Sequence, residues 1–277
     1  MTLINTCGRK AAIMLMVCLM AASALYGQTM TLHETVPKNL SNTAVIVCPG
    51  GSYYWLGMQD EGRRVAEWLN ANGIASFVLE YPTSGWASFF FHIRSPHRSV
   101  YPAQLESLKA ALKIVKSQGF ENVGVMGFSA GGHLVLNAAI AIKDSLAPDF
   151  VSAIYPVVSM REPYVHKRSR RGLLGERKCR DPKMHDSLSI ELHAGEISCP
   201  LFLMNCVDDK TVDYHNSVML HEAMLKNRNS HLLTYIQYQT GDHGFGANEE
   251  KMYGEAVSWK PTWLEWLKSK TKFKAAR

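Results

Sequence analysis

The chain has 277 residues, of which 47% are hydrophobic and 19% are charged, and its 20 glycines and 11 prolines are spread along its length. This composition supports a large folded core and excludes a disordered tail, a collagen-like polymer and a low-complexity repeat. The formal net charge of +6 at pH 7 is too small to indicate a nucleic-acid partner, and we expect none.

The first 27 residues are predicted to be a secretory signal peptide. Two basic residues precede an uncharged apolar run over residues 11–25, which is shorter than the roughly 20 residues that span a bilayer. Small residues follow, so we place the cleavage after Gly27, with cleavage after Ala24 and an uncleaved membrane anchor as alternatives. The mature chain, residues 28–277, would be secreted or periplasmic and away from the membrane. Because residues 1–27 hold two basic and no acidic residues, its net charge falls from +6 to +4.

The rest of the chain alternates between predicted strands and predicted helices. Short apolar runs predict strands over residues 44–48, 74–79, 123–127, 150–155, 201–206 and 232–238. Apolar residues at helical spacing predict helices over residues 60–72, 102–118, 130–142, 217–227 and 259–270. This pattern predicts an α/β fold of one domain, with a doubly wound, mostly parallel sheet covered by helices on both faces.

Two segments interrupt this alternation. Residues 81–101 are rich in aromatic side chains and are predicted to be irregular. Residues 161–200 are polar and basic and contain no predicted element. In an α/β sheet such an insertion usually lies over the carboxyl ends of the strands, where ligands bind, so we expect it near the functional site.

A candidate nucleophile follows the predicted strand at residues 123–127. Residues 127–131 read Gly-Phe-Ser-Ala-Gly, a G-x-S-x-G motif between a buried strand and a helix. In such a turn the small flanking residues allow the serine to adopt a strained backbone conformation with its hydroxyl exposed. Ser129 is therefore the predicted nucleophile.

A serine hydroxyl needs a general base, which in this type of fold follows the acid along the chain. His243 lies within Gly-Asp-His-Gly-Phe-Gly at residues 241–246, directly after the last predicted strand. Glycines in that loop suit a turn that directs the imidazole back towards Ser129. His133 is one helical turn beyond the serine and is expected to pack or cap instead.

The acid that orients the histidine is expected after the strand at residues 201–206. Two aspartates follow that strand, Asp208 and Asp209. We favour Asp209, because the apolar Val212 lies three residues later, as in the common D-x-x-V pattern of acid loops. Asp208 remains the alternative. The acid would hold the imidazole tautomer and stabilise the imidazolium.

Hydrogen-bond donors for the oxyanion are predicted in the loop after the first strong strand. Residues 49–53 read Pro-Gly-Gly-Ser-Tyr, and the glycines allow backbone N–H groups to turn towards the site. We expect one donor from Gly51 or Ser52 and the other from Ala130, the residue after the nucleophile.

The mature chain keeps four cysteines, which are predicted to be small buried hydrophobic residues rather than disulfides. Their positions follow none of the usual zinc spacings, so no metal site is expected at them. They are Cys48, Cys179, Cys199 and Cys206.

These motifs resemble those of α/β-hydrolases of the esterase/lipase type. More narrowly, the chain is similar to the secreted bacterial acetyl esterases grouped with feruloyl and acetylxylan esterases (the BD-FAE-like esterases), from about Thr43 to about Trp266. The resemblance is carried by residues 48–53, 127–134, 155–159, 169–175, 208–209 and 241–246. The chain differs from the family in having Ser52 where relatives have a third glycine, in residues 193–199, and in a longer segment over residues 81–101.

The resemblance implies hydrolysis of small acyl esters, acetyl above all, on plant polysaccharide such as xylan or its fragments. Such a reaction through a Ser-His-Asp triad needs no metal or organic cofactor. Tyr53 and Trp86 are then candidates for stacking on sugar rings, with packing under the insertion at residues 161–200 as the alternative. The basic cluster at residues 167–171 would favour substrates that carry uronic acids. A serine peptidase, a lactonase and a feruloyl esterase remain alternatives, as does a ligand-binding relative without catalysis. The oligomeric state is open.

Overall fold

The computed structural model describes residues 30–91 and 99–275, so the predicted signal peptide at residues 1–27 lies outside the described residues. Within them one sheet has seven strands, in the order β1-β3-β2-β4-β5-β6-β7. The strands are β1 (Thr31–Thr35), β2 (Thr43–Cys48), β3 (Ala75–Glu80), β4 (Asn122–Phe128), β5 (Val151–Ile154), β6 (Leu201–Cys206) and β7 (Leu233–Tyr238). Apart from β1, which pairs antiparallel with β3, neighbouring strands are parallel. The predicted α/β class with a mostly parallel sheet is confirmed.

Eight α-helices accompany the sheet in the described part of the chain. They are α1 (Arg64–Ala71), α2 (Gly85–Phe91), α3 (Ala103–Lys116), α4 (Ala130–Ala141), α5 (Lys167–Lys178), α6 (Pro182–Leu188), α7 (His215–Leu225) and α8 (Trp259–Lys270). A π-helical segment, Met58–Arg63, leads into α1. None of these helices is long and apolar enough to cross a membrane.

The core lies on both faces of the sheet. Strand β2 is buried along its whole length, and its alternate residues enter opposite layers. Ala44 and Ile46 pack with side chains of α3, α4 and α7, whereas Val45 and Val47 pack with side chains of α1 and α8. This two-sided burial explains why the central strands have almost no polar residues, and it confirms the expected helices on both faces.

Three parts of the chain differ from the sequence prediction. Strand β1 was not predicted, because it lies at the sheet edge and is mostly exposed. Helix α2 occupies part of residues 81–101, which were expected to be irregular. Residues 161–200 contain α5, α6 and a 3₁₀ segment, Ile190–Glu196, where no element was predicted. Helix α5 buries only a narrow strip around Ser169 and residues 172–175, so its sequence appears polar.

Candidate active site

The tight turn between β4 and α4 carries Ser129. Its backbone has φ 53° and ψ −116°, which is the strained conformation expected of a nucleophile in this turn. Glycine is required at the two positions that flank the serine in the motif, 127 and 131. A Cβ atom on Gly127 would lie 2.1 Å from the carbonyl oxygen of Gly131, and a Cβ atom on Gly131 would lie 2.0 Å from that of Cys48. The G-x-S-x-G spacing therefore reflects close backbone approach.

The structure brings Ser129, His243 and Asp209 together. The Oγ atom of Ser129 lies 2.9 Å from Nε2 of His243, and Nδ1 of the same ring lies 2.6 Å from Oδ2 of Asp209. Because a carboxylate can only accept, Nδ1 carries the proton, and Nε2 is left to accept from the serine hydroxyl. The other carboxylate oxygen of Asp209 accepts the backbone N–H groups of Thr211 and Val212, at 2.8 and 2.9 Å.

Asp208, the alternative acid, contacts the histidine loop and not the imidazole. Its Oδ1 atom accepts the backbone N–H groups of Gly241 and Asp242 at 2.9 and 2.8 Å. Its Oδ2 atom accepts the hydroxyl of Tyr253 at 2.9 Å. The two neighbouring aspartates thus have separate partners, one on the ring of His243 and one on the backbone that carries it.

The predicted oxyanion residues lie beside Ser129. Gly51 and Ser52 line the same cleft as the serine, and both have positive φ, 127° and 57°. A Cβ atom on Gly51 would lie 2.1 Å from the carbonyl oxygen of Trp55, so this tight loop requires glycine. Ala130 is the first residue of α4, where N–H groups have no partner within the helix.

A buried carboxyl that the sequence did not reveal connects the loops on either side of the site. Glu61 accepts the N–H of Gly50 at 2.7 Å and the hydroxyl of Tyr155 at 2.9 Å. The same hydroxyl accepts the N–H of Gly246 at 2.9 Å, and the Tyr155 ring lies 4.5 Å from that of His243. Burial raises the pKa of Glu61, whereas the nearby His243 and the two hydrogen bonds lower it. The sequence did not indicate that Glu61 would be a buried hydrogen-bond acceptor, because an acid in the first turn of a predicted helix usually faces solvent.

The two residues predicted to stack on sugars have different environments. Tyr53 is 1% exposed, and its hydroxyl lies 2.8 Å from Nδ1 of the buried His133. The prediction that Tyr53 is a surface binding residue is wrong, because the loop turns this ring into the core. Trp86 is 54% exposed and stacks on Trp55, with ring centroids 4.2 Å apart. Trp55 itself lines the cleft, so Trp86 remains a candidate.

A cleft of about 660 Å³ opens above Ser129 and His243. The residues that line it include Ser52, Trp55, Glu61, Arg168 and Lys251. Arg168 comes from α5, so one residue of the segment at 161–200 lines the cleft. Within residues 30–91 and 99–275, no three His, Cys, Asp or Glu side chains are grouped so that they could hold a metal ion.

Comparisons with known proteins agree with this fold. A model of a family with the α/β-hydrolase fold matches residues 94–191. The acetylxylan esterase of Xylanibacter ruminicola is 31% identical over 220 residues, which is 76% of this chain and 42% of that protein. Endo-1,4-β-xylanase B of Butyrivibrio fibrisolvens is 26% identical over 234 residues, 78% of this chain and 34% of that protein. The chain therefore spans less than half the length of these two relatives.

A solved structure extends the likeness to nearly the whole described chain. The crystal structure of an acetyl ester-xyloside bifunctional hydrolase from Caldicellulosiruptor lactoaceticus superposes with a TM-score of 0.70 and 26% identity, covering 87% of this chain and 88% of that one. Strand order, the turn at Ser129 and these matches all lead to the same family. The chain belongs to the α/β-hydrolases.

Proposed function

We propose that this chain is a serine carboxylesterase that removes small acyl groups, acetyl foremost, from xylan or its oligosaccharides. The observation that carries the proposal is the hydrogen-bonded series Ser129–His243–Asp209, at 2.9 and 2.6 Å, at the base of an open cleft. Support for the substrate comes from the relatives, one of which is named an acetylxylan esterase.

The geometry suits a two-step reaction through an acyl-enzyme. Nε2 of His243 takes the hydroxyl proton as Oγ of Ser129 attacks the ester carbonyl. Backbone N–H groups from the loop at Gly51 and Ser52 and from Ala130 stabilise the oxyanion. The alcohol leaves with the proton from His243, and a water molecule, activated by the same imidazole, then releases the carboxylic acid. Asp209 holds the ring and stabilises the imidazolium throughout.

The test is acetate release from acetylated xylan oligosaccharides, measured beside hydrolysis of a small aryl acetate. We expect both reactions, and we expect Ser129→Ala to lower kcat by a factor on the order of 10⁴ or more without loss of the fold. Full activity of Ser129→Ala on the aryl acetate would overturn the mechanism. Cleavage of the aryl ester alone would retain the esterase but discard xylan as the substrate.

Assays with other substrates separate the alternative functions of this fold. Turnover of amino-acid amides would indicate a peptidase, ring opening of a lactone without acetate release would indicate a lactonase, and a preference for feruloyl over acetyl esters would indicate a feruloyl esterase. Failure to hydrolyse any ester, together with saturable binding of xylan oligosaccharides, would indicate a binding protein.

We further propose that residues 1–27 direct export, so that the enzyme acts on polysaccharide outside the cytoplasm. The proposal rests on the basic and apolar composition of this segment. Mass spectrometry of the exported protein is expected to find Gln28 at the amino terminus. A product that keeps residues 11–25 and sediments with membranes would instead support an uncleaved anchor.

A further inference from the structure

Helix α5 brings a group of basic side chains to the rim of the cleft. They are Lys167, Arg168, Arg170 and Arg171. Sequence alone treats them as one cluster, but their surroundings in the structure differ. Three of them lie beside the carboxylates of Glu162 and Glu176, and the fourth, Arg168, lines the cleft.

Lys167, Arg170 and Arg171 form ion pairs with two carboxylates close to α5. Lys167 and Arg170 lie 3.8 and 3.6 Å from the carboxylate of Glu162, and Arg171 lies 3.3 Å from that of Glu176. Arg170 also donates to the carbonyl oxygen of Met160 at 2.9 Å. None of these three side chains lines the cleft, and each is directed towards a carboxylate outside it.

Arg168 has no carboxylate partner in the described part of the chain. Residues 1–29, 92–98 and 276–277 contain no Asp or Glu, so every acidic side chain of the protein is among the described residues. The Nε atom of Arg168 donates to Oγ of Ser52 at 3.0 Å, and its guanidinium carbon lies 5.6 Å from the centre of the Trp55 ring. A guanidinium has five N–H donors arranged to hold a planar carboxylate in bidentate fashion.

The acidic groups that share the cleft with Arg168 are already engaged. Asp60 lies 2.6 Å from Nζ of Lys251 and 3.4 Å from Nε of Arg64. Glu61 is buried and accepts hydrogen bonds from Gly50 and Tyr155. An anion that enters the cleft therefore meets a fixed guanidinium beside the oxyanion loop without an opposing free carboxylate.

We propose that Arg168 forms a subsite for a carboxylate on the alcohol portion of the ester, so that the enzyme favours acyl groups on or next to uronic-acid residues. The inference rests on the proposed esterase function. The charge is assigned to the alcohol portion because an acetyl group has no place for one. The position of the guanidinium over the Trp55 ring and its hydrogen bond to Ser52 orient it before substrate binds, which limits the entropy lost on binding.

The test compares two aryl acetates that differ in one charge, 4-acetoxybenzoate and its methyl ester. The measured quantity is kcat/KM for 4-acetoxybenzoate divided by kcat/KM for its methyl ester, at low ionic strength. We expect Arg168→Gln to lower this ratio about 10-fold or more, as loss of a charge-assisted hydrogen bond implies. Arg168→Lys should keep part of the preference, and the matched control Lys167→Gln, on the same helix, should leave the ratio unchanged.

The other outcomes are decisive as well. An unchanged ratio in Arg168→Gln, or an equal fall in Lys167→Gln, would overturn the subsite while leaving the esterase intact. Loss of activity on both esters by the same factor would show that Arg168 only positions Ser52. That result would also overturn the carboxylate subsite. If the unmodified enzyme hydrolyses neither ester, the proposed function fails, and the subsite fails with it.

On natural material, acetate release from acetylated glucuronoxylan fragments should slow after their carboxyl groups are reduced.

Discussion

At the scale of single residues, substitutions at Asp208 and Asp209 test which carboxylate orients the imidazole of His243. Asp209→Asn should lower kcat by a factor of about 10³–10⁴, because the amide no longer fixes the tautomer that leaves Nε2 free to accept. Asp208→Asn keeps an oxygen that accepts the N–H groups of Gly241 and Asp242, so kcat of this variant should fall by less than about 10-fold. The measurement is kcat on an aryl acetate, with circular dichroism to verify the fold. A larger loss in Asp208→Asn than in Asp209→Asn would reverse the assignment.

His133 predicts how stability responds to acid. Nε2 lies 2.8 Å from the carbonyl oxygen of Leu188, which can only accept. Nε2 therefore carries the proton, and Nδ1 accepts from the hydroxyl of Tyr53. Burial lowers the pKa of His133 from 6.5 to about 4, opposed by the bond to Leu188. Because the unfolded chain then binds a proton that the folded protein excludes, stability is lost as pH falls from 6.5 towards 4.

The matched measurement uses His133→Gln, which cannot titrate. Between about pH 7.5 and about pH 5, the unfolding free energy of the unmodified protein should fall by about 2 kcal/mol more than that of the variant. Comparing the two proteins cancels the contributions of other titrating groups, such as Glu61, whose raised pKa acts in the opposite direction. Parallel losses in the two proteins would contradict a buried neutral His133. Denaturant unfolding at each pH provides the values.

The residues that the sequence could reveal are those that directly follow strands. Ser129, Asp209 and His243 each lie in a short loop at the carboxyl end of a strand, and parallel strands bring those ends together. Glu61 and Arg168 could not be found in this way. Their roles depend on burial and on which neighbours remain unpaired, and neither property is encoded in local spacing. Tyr53 was misassigned for the same reason, since nothing local shows which way its loop turns the ring.

At the scale of elements, prediction succeeded where an element is buried on a wide face. Helix α3 was predicted because Leu105, Leu108, Leu112 and Val115 recur on its buried side. Helix α5 was not, because basic residues fill its first turns and Gly175, with φ 68°, kinks its end. Its position over the active site follows from long-range contacts, which include the N–H of Val100 donating to the carbonyl oxygen of Leu173 at 3.1 Å.

Packing of α5 on the loop at Gly51 and Ser52 gives a prediction for Gly172. A Cβ atom there would lie 2.2 Å from the carbonyl oxygen of Ser52 and 3.1 Å from ring carbons of Tyr54. Although alanine is the better helix former, Gly172→Ala must displace the loop, and kcat/KM should fall by about 10- to 100-fold. Lys178→Ala, at an exposed position of the same helix, is the control. Full activity in Gly172→Ala with an unchanged melting temperature would show that the loop does not depend on this contact.

At the scale of the whole molecule, the parallel sheet was predictable and the order of its strands was not. Apolar strands that alternate with helices indicate a covered parallel sheet, but the order β1-β3-β2-β4-β5-β6-β7 depends on which helix covers which face. Helix α8 packs against both the sheet and α1 in this arrangement. Its buried tryptophans pack with β4, β5 and β6 on one face, and Trp68 of α1 lies against the same two rings, Trp259 and Trp263.

Trp263 tests whether α8 stabilises the entire sheet. Its ring is fully buried, and Nε1 donates to Oγ of Ser152, at the centre of β5, at 2.7 Å. Trp263→Ala should lower the free energy of unfolding by about 3–5 kcal/mol. Trp263→Phe should cost less, and much of its cost should come from the buried Ser152 hydroxyl left without a partner. The measurement is denaturant unfolding followed by circular dichroism.

Combining Trp263→Phe with Ser152→Ala separates packing from hydrogen bonding. The double variant should be less destabilised than the sum of the two single variants by about 1 kcal/mol, because each single change leaves the other partner buried and unsatisfied. Trp86→Phe, the same substitution at an exposed position, should change stability by less than about 0.5 kcal/mol. Strict additivity would mean that the bond to Ser152 contributes nothing and that α8 is held by ring packing alone. A single unfolding transition in every variant would show that this helix and the sheet that carries Ser129 unfold as one unit.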